Sequence, residues 1–207
     1  MSIKKKQIIN INIIFEDILS EAVIRKIIAQ SGCSFQIAGS INGRGNGFIK
    51  RNINGFNKAA QGMPYFVLTD CDRYNCAIAL IKDYLPDKIH PNMLFRVAVN
   101  EVESWLLADR EGLAEYLGIN INLIPIDVES LSDPKQSLIN LANKSRKKDL
   151  RIGIVPRSNS TAVQGPNYND CLIPFVKYSW SLENACKNSE SLLRALNSLL
   201  RFNNQID

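Results

Sequence analysis

Apolar residues alternate with asparagine over residues 8–15 (Ile-Ile-Asn-Ile-Asn-Ile-Ile-Phe) and then run together. That pattern predicts a strand that becomes buried on both faces toward its C-terminal end. Glu16 follows directly. From residue 18 to residue 30 the period changes: Ile18, Leu19, Ala22, Val23, Ile27 and Ile28 recur near helical spacing, and Gly32 stands where such a helix would close. A second short strand is predicted over 35–41, and a polar helix within 48–62, around 55–61. The block Tyr65-Phe66-Val67-Leu68 is continuously apolar and ends at Thr69-Asp70-Cys71-Asp72, which reads as a strand buried on both faces over 65–70. A helix over 77–85 stops before Pro86. Another strand covers 94–99, after which Val102, Trp105 and Leu106 fall on one side of a helix; a further helix over 110–117 is closed by Gly118.

Strands alternating with helices predict an α/β fold, a mainly parallel sheet with helices on both faces, over residues 1–118. From 119 to 207 the pattern changes to a helical and loop-rich C-terminal extension packed on that core. Asp133-Pro134 supplies an N-cap and a proline at the first helical position, with Leu138, Leu141 and Ala142 as the apolar face. This helix is expected to run into Lys144-Ser145-Arg146-Lys147-Lys148-Asp149-Leu150-Arg151. Residues 157–170, rich in Ser, Asn, Gly and Pro, read as a long loop. Ser189 caps a last amphipathic helix carrying Leu192, Leu193, Leu196, Leu199 and Leu200.

With 207 residues, 45% hydrophobic and 22% charged, the chain needs no disulfide or metal to fold. Its net charge of +5 is compatible with a polyanionic partner. Five widely spaced cysteines and a single histidine, His90, argue for reduced thiols in the cytoplasm and against a zinc site. Asn10, Asn12, Glu16 and Asp17 interrupt the apolar stretch after Lys4-Lys5-Lys6, so no signal peptide is expected, and no run reaches the length of a membrane span.

Chemistry gathers at the ends of the strands. Glu16 closes the first, Asp70 and Asp72 the third, and Glu101 and Glu103 follow the fourth. Ligands of open α/β sheets bind at the carboxyl ends of the strands, and adjacent parallel strands lie about 4.8 Å apart. Carboxylates at one edge are therefore expected to converge on Mg²⁺ or Mn²⁺, with two such ions suited to phosphodiester cleavage. For Glu101 and Glu103, stabilisation of a helix N-terminus is the competing role. Asn42-Gly43-Arg44-Gly45-Asn46-Gly47 is a loop able to offer N–H groups and Arg44 to an anion, although it lacks P-loop spacing. Five basic residues among 144–151 are either a solvated surface or a phosphate-contacting patch.

A strand-terminal glutamate (Phe15-Glu16) followed by an apolar strand ending Asp70-Cys71-Asp72 resembles the Toprim fold of topoisomerases, primases and several nucleases. Glu101-Val102-Glu103-Ser104-Trp105 resembles more closely the nuclease branch that includes the overcoming-lysogenisation-defect (OLD) proteins, whose small standalone relatives accompany ATPases in bacterial phage-defence modules. The resemblance covers about residues 8–110. It implies a metal set of Glu16, Asp70, Asp72, Glu101 and Glu103. It also implies a basic residue from beyond the core, for which Lys135, Lys144 and Arg151 are candidates; Lys144 is counted with Glu16, Asp70, Asp72 and Glu103 as catalytic. Arg44, Lys135, Arg146, Lys147, Lys148 and Arg151 are the expected nucleic-acid contacts. The family has glycine after its first glutamate, where this chain has Asp17, and an acidic residue four positions on, where it has Ser20 and then Glu21.

The expected activity is metal-dependent cleavage of DNA or RNA by an anti-phage effector working with a partner ATPase, with homo-oligomerisation left open. The alternative is a non-catalytic Toprim-like subunit that docks on an ATPase. A sugar-nucleotide transferase would use Asp70 and Asp72 but leave Glu16, Glu101 and Glu103 without a role. A topoisomerase or primase needs more domains than 207 residues hold.

Overall fold

The computed structural model describes residues 8–71, 74, 76–85 and 88–206. Strands β1 (Ile9–Phe15), β2 (Phe35–Asn42), β3 (Tyr65–Asp70) and β4 (Met93–Ala98) form one all-parallel sheet in the order β2-β1-β3-β4. Helix α1 (Ile18–Gln30) joins β1 to β2, α2 (Asn46–Ala59) joins β2 to β3, and α3 (Ala77–Tyr84) joins β3 to β4. The first connection moves one way across the sheet and the next two move the other way. Since parallel crossovers are right-handed, α1 must cover one face and α2 and α3 the opposite one. The core agrees: Ile14, Val67, Phe95 and Val97 of the sheet pack with Ile49 and Ile53 of α2 and Leu80 and Tyr84 of α3.

Hydrophobic content follows position in the sheet. Central β1 is sealed, with Ile11, Ile13 and Ile14 fully buried, whereas edge strand β2 alternates half-buried and exposed residues. The β1–β2 register shifts between Ile11 and Asn12, and there Gly39 lies so close that a Cβ would come within 2.6 Å of the Asn12 amide oxygen. Only glycine fits without displacing Asn12.

Helix α2 begins at Asn46, earlier than the sequence pattern predicts, so Gly47 and Gly55 lie inside it. Burying Ile49 and Ile53 completely on the sheet outweighs the roughly 1 kcal/mol per glycine of unfavourable propensity.

The chain divides into two compact units, residues 1–97 with 194–207, and residues 98–193. In the first, Phe202 stacks on Phe35 with ring centroids 6.3 Å apart, and the Ser198 hydroxyl accepts from Arg96 Nε at 2.8 Å.

The second unit is helical: α4 (Val102–Ala108), α5 (Arg110–Leu117), α6 (Pro134–Asn143), α7 (Lys148–Ile154), α8 (Tyr168–Pro174), a π-helical turn (Phe175–Ser179), α9 (Leu182–Asn188) and the start of α10 (Glu190–Ile206). Every residue of α4 is buried, so this helix is the unit's axis. Buried Asp109 ties two neighbours together, accepting from Gly112 N at 3.2 Å in α5 and from Ser181 N at 2.7 Å at the start of α9. Glu129 caps α10 by accepting from the Ser189 hydroxyl and from Ser191 N. Trp105 Nε1 donates to the Ser191 hydroxyl at 2.7 Å, and Trp180 Nε1 to the Trp105 carbonyl at 3.0 Å.

Two expectations are corrected in this unit. Helix α6 stops at Asn143 instead of running through the basic stretch, because Ser145 turns inward to donate to the Leu117 carbonyl, and α7 starts afresh at Lys148. The loop expected over 157–170 ends at 167, where buried Tyr168 opens α8. Among the described residues no helix is long and apolar enough to cross a membrane.

Candidate functional site

Strands β1 and β3 are neighbours whose connections leave on opposite faces of the sheet, so a crevice opens at their carboxyl ends. Glu16 is the first residue past β1 and Asp70 the last of β3. Glu16 Oε1 accepts from the Asp70 backbone N–H at 3.0 Å and from the Thr69 hydroxyl. The strand spacing permits this: a glutamate leaving β1 has the reach to cross to the next parallel strand. Thr69 is buried, while Glu16 and Asp70 are half-exposed. Asp72 lies outside the described residues.

Asp17 has a local role. Its Oδ1 accepts from Ser20 N at 2.8 Å and caps α1. Glu21 accepts from Arg25 Nε at 2.9 Å, from its terminal nitrogen at 2.7 Å, and from the Ser40 hydroxyl at 2.9 Å. It is held toward edge strand β2.

The loop after β2 is stitched to the same end of β1. Gly43 N donates to the Phe15 carbonyl at 2.7 Å and Gly45 N to the Glu16 carbonyl at 3.0 Å. A Cβ on Gly43 would approach Ile49 and two carbonyl oxygens at 3.0–3.2 Å. Arg44 takes a left-handed φ of 48° and is exposed. Two residues past Asp72, the Tyr74 hydroxyl donates to the Asp83 carboxylate, which also pairs with Lys50 at 2.6 Å. These bonds from Lys50 and Tyr74 hold the Asp83 carboxyl below its usual range.

In the second unit Glu101 is the N-cap residue of α4, and its Oε2 accepts from Lys135 N at 2.9 Å. Glu103, 2% exposed, accepts from the Tyr168 hydroxyl at 2.9 Å and pairs with Lys135 Nζ at 3.4 Å. Burial pushes its carboxyl up; the Lys135 ammonium opposes that push, nearby Glu101 adds to it, and the Tyr168 bond opposes it.

The basic stretch divides in two. Lys147 Nζ donates to the Glu115 carbonyl at 3.2 Å and lies over the Tyr116 ring, and Arg151 donates to the Ser145 carbonyl at 2.9 Å. The side chains of Lys144, Arg146 and Lys148 are exposed and bond to no described residue.

Sequence reasoning missed Tyr168, Thr69, Glu129 and Asp109. Asp109, just before a helix, carried the local signal of an N-cap, and Thr69 that of a polar residue near the end of an apolar strand.

Two pairs of carboxylates, Glu16 with Asp70 and Glu101 with Glu103, are thus placed on neighbouring backbone positions. They are hard oxygen donors of the kind Mg²⁺ and Mn²⁺ take, so they fit such an ion in chemistry. Among the described residues no three His, Cys, Asp or Glu side chains gather as a metal-binding set. No family model, curated protein or solved structure matches the chain. Its four-stranded parallel sheet is consistent with a Toprim-like or a Rossmann-like fold.

Proposed function

We propose that the chain is a Mg²⁺-dependent nuclease of Toprim type that cleaves phosphodiester bonds of DNA or RNA. The observation that carries this reading is the Glu16 carboxylate bonded to the backbone N–H of Asp70 at the crevice between β1 and β3. It joins the strand-terminal glutamate to the first aspartate of the Asp-x-Asp motif, the two features on which the resemblance to Toprim nucleases rests. Glu16, Asp70 and Asp72 would hold the cation in the first unit; Glu101 and Glu103 are the carboxylates of the second. A bound cation supplies an activated water and a counter-charge for the leaving oxygen.

The chain's own groups orient and neutralise. Thr69 and the Asp70 N–H both donate to one oxygen of Glu16 and so orient its carboxylate at the strand ends. Of the three basic candidates, Lys135 is the one whose ammonium sits beside a site carboxylate, 3.4 Å from Glu103, so it takes the assisting role in place of Lys144. Lys144, Arg146 and Lys148 are the phosphate-backbone contacts. The partner is an ATPase, in anti-phage defence; this part rests on the sequence resemblance alone.

The reading is tested by titrating Mn²⁺ and Mg²⁺ into the chain calorimetrically and by assaying cleavage of single-stranded DNA, duplex DNA and structured RNA with and without metal. Saturable binding with metal-dependent cleavage is expected. No binding and no cleavage would overturn the nuclease in favour of a non-catalytic subunit docking on an ATPase.

A further inference from the structure

We infer that Tyr168 is a positioning residue for Glu103, fixing the orientation in which the second unit presents that carboxylate to a cation. The inference rests on the nuclease reading and adds to it a group that no motif marks.

Both donors fall on the same atom. The Tyr168 hydroxyl at 2.9 Å and the Lys135 ammonium at 3.4 Å meet Glu103 Oε1, and Oε2 takes part in neither contact. Two donors on one oxygen hold the carboxylate in one orientation, as outer-shell partners of metal ligands do. Tyr168 is itself 2% exposed, so water cannot replace its partner.

The backbone holds the tyrosine from behind. Gly165 N donates to the Ile154 carbonyl at 2.9 Å and Asn167 N to the Gly153 carbonyl at 3.0 Å, closing the neck of the exposed loop between α7 and α8. At that neck a Cβ on Gly165 would lie 2.2 Å from the Gly153 carbonyl oxygen, so only glycine allows the closure. The chain then enters α8 with Tyr168 as its first residue.

The test compares the parent, Tyr168→Phe, Glu103→Gln and the double variant. Thermal unfolding without metal, Mn²⁺ affinity by calorimetry and cleavage are measured for each. Tyr168→Phe is expected to fold, to bind Mn²⁺ about 10-fold or more weakly, and to lose cleavage in proportion. In the Glu103→Gln background the same change should have no further effect on Mn²⁺, because the two residues act as one unit. Unchanged Mn²⁺ affinity in Tyr168→Phe, or an equal loss in the Glu103→Gln background, overturns the inference and leaves the nuclease reading standing. A Tyr168→Phe chain that does not fold also overturns it, since the hydroxyl is then structural. A parent that binds no Mn²⁺ overturns the nuclease reading itself.

Discussion

Glu16 and Glu103 both follow a strand of the sheet in sequence, yet the molecule holds them by different means. Glu16 is half-exposed, and it accepts from two neutral groups, a hydroxyl and a backbone N–H, on the next strand of the same sheet. Glu103 is buried, and its donors are an ammonium on α6 and a phenol on α8. A carboxylate fixed by neutral donors at a sheet edge stays ready to meet a cation at little cost in desolvation. One buried beside an ammonium is already neutralised, and a cation must compete with Lys135 for it. On the proposed nuclease reading, this contrast would make Glu16 and Asp70 the primary cation position, with Glu103 answering to its protein partners first.

The largest effect expected from this contrast is on chemistry. Asp70→Ala, Asp72→Ala and Glu16→Gln should each reduce metal-dependent cleavage by more than the roughly 10- to 100-fold that loss of an outer-shell partner costs. Folding should be retained, because removing one of several clustered negative charges relieves repulsion. Wild-type rates in these variants would break the comparison at its first member.

Stability probes the second member. Lys135→Met strands Glu103 and is expected to destabilise the chain by about 2 kcal/mol at neutral pH, below the 3–5 kcal/mol of a fully buried pair because the lysine is 28% exposed. The pH dependence follows from the raised Glu103 carboxyl. In the native state it binds its proton at a higher pH than in the unfolded chain. Between the ordinary glutamate range and that raised value the native state therefore holds more protons, and stability falls as pH rises. Glu103→Gln, which mimics the protonated form, should thus gain on the parent as pH rises through that window, read from denaturant midpoints. A gain that instead shrinks with rising pH would show that Lys135 overcompensates burial.

How far each member was legible in the sequence follows from how it is held. Strand period and the abrupt end of the apolar runs place Glu16 and Asp70 at adjacent carboxyl ends, because a sheet repeats at a fixed spacing. Thr69 was hidden by its neighbours, although a polar residue as the penultimate member of an apolar strand was the available signal. Tyr168 had none. It lies 65 residues from Glu103, inside a stretch that reads as loop, and the long-range packing that buries it leaves no local period. The break between α6 and α7 was hidden for the same reason: Ser145 turns inward to a carbonyl 28 residues earlier. The glycines of α2 misled in the opposite sense, since local propensity was outweighed by two isoleucines facing the sheet.

The exposed cations come next in size. Arg146→Ala with Lys148→Ala should flatten the slope of log affinity against log salt by about 1 for each phosphate that is no longer neutralised, with Mn²⁺ affinity unchanged. Lys147 and Arg151, already bonded to carbonyls, should matter less. Equal slopes in the variant and the parent would make the stretch a solvated surface.

The smallest effect belongs to Glu21, and it sharpens the comparison from within the first unit. Glu21 lies on the same helix that Asp17 caps, five residues past Glu16, and the Toprim pattern has a second acidic residue nearby. Its carboxylate is committed to Arg25 and Ser40, with side-chain exposures of 46% for the arginine and 26% for the glutamate. Solvent screens such a pair to about 0.5 kcal/mol or less, and glutamine keeps an acceptor for the Ser40 hydroxyl. Glu21→Gln should therefore leave the unfolding midpoint within a degree or two by the usual size scaling, and cleavage at the parent's rate. Glu16→Gln, one helical turn and one residue earlier, should lose it. If the two variants lost cleavage equally, the carboxylate now paired with Arg25 would have to leave it to reach the reaction edge, and the first motif would be read one turn too early.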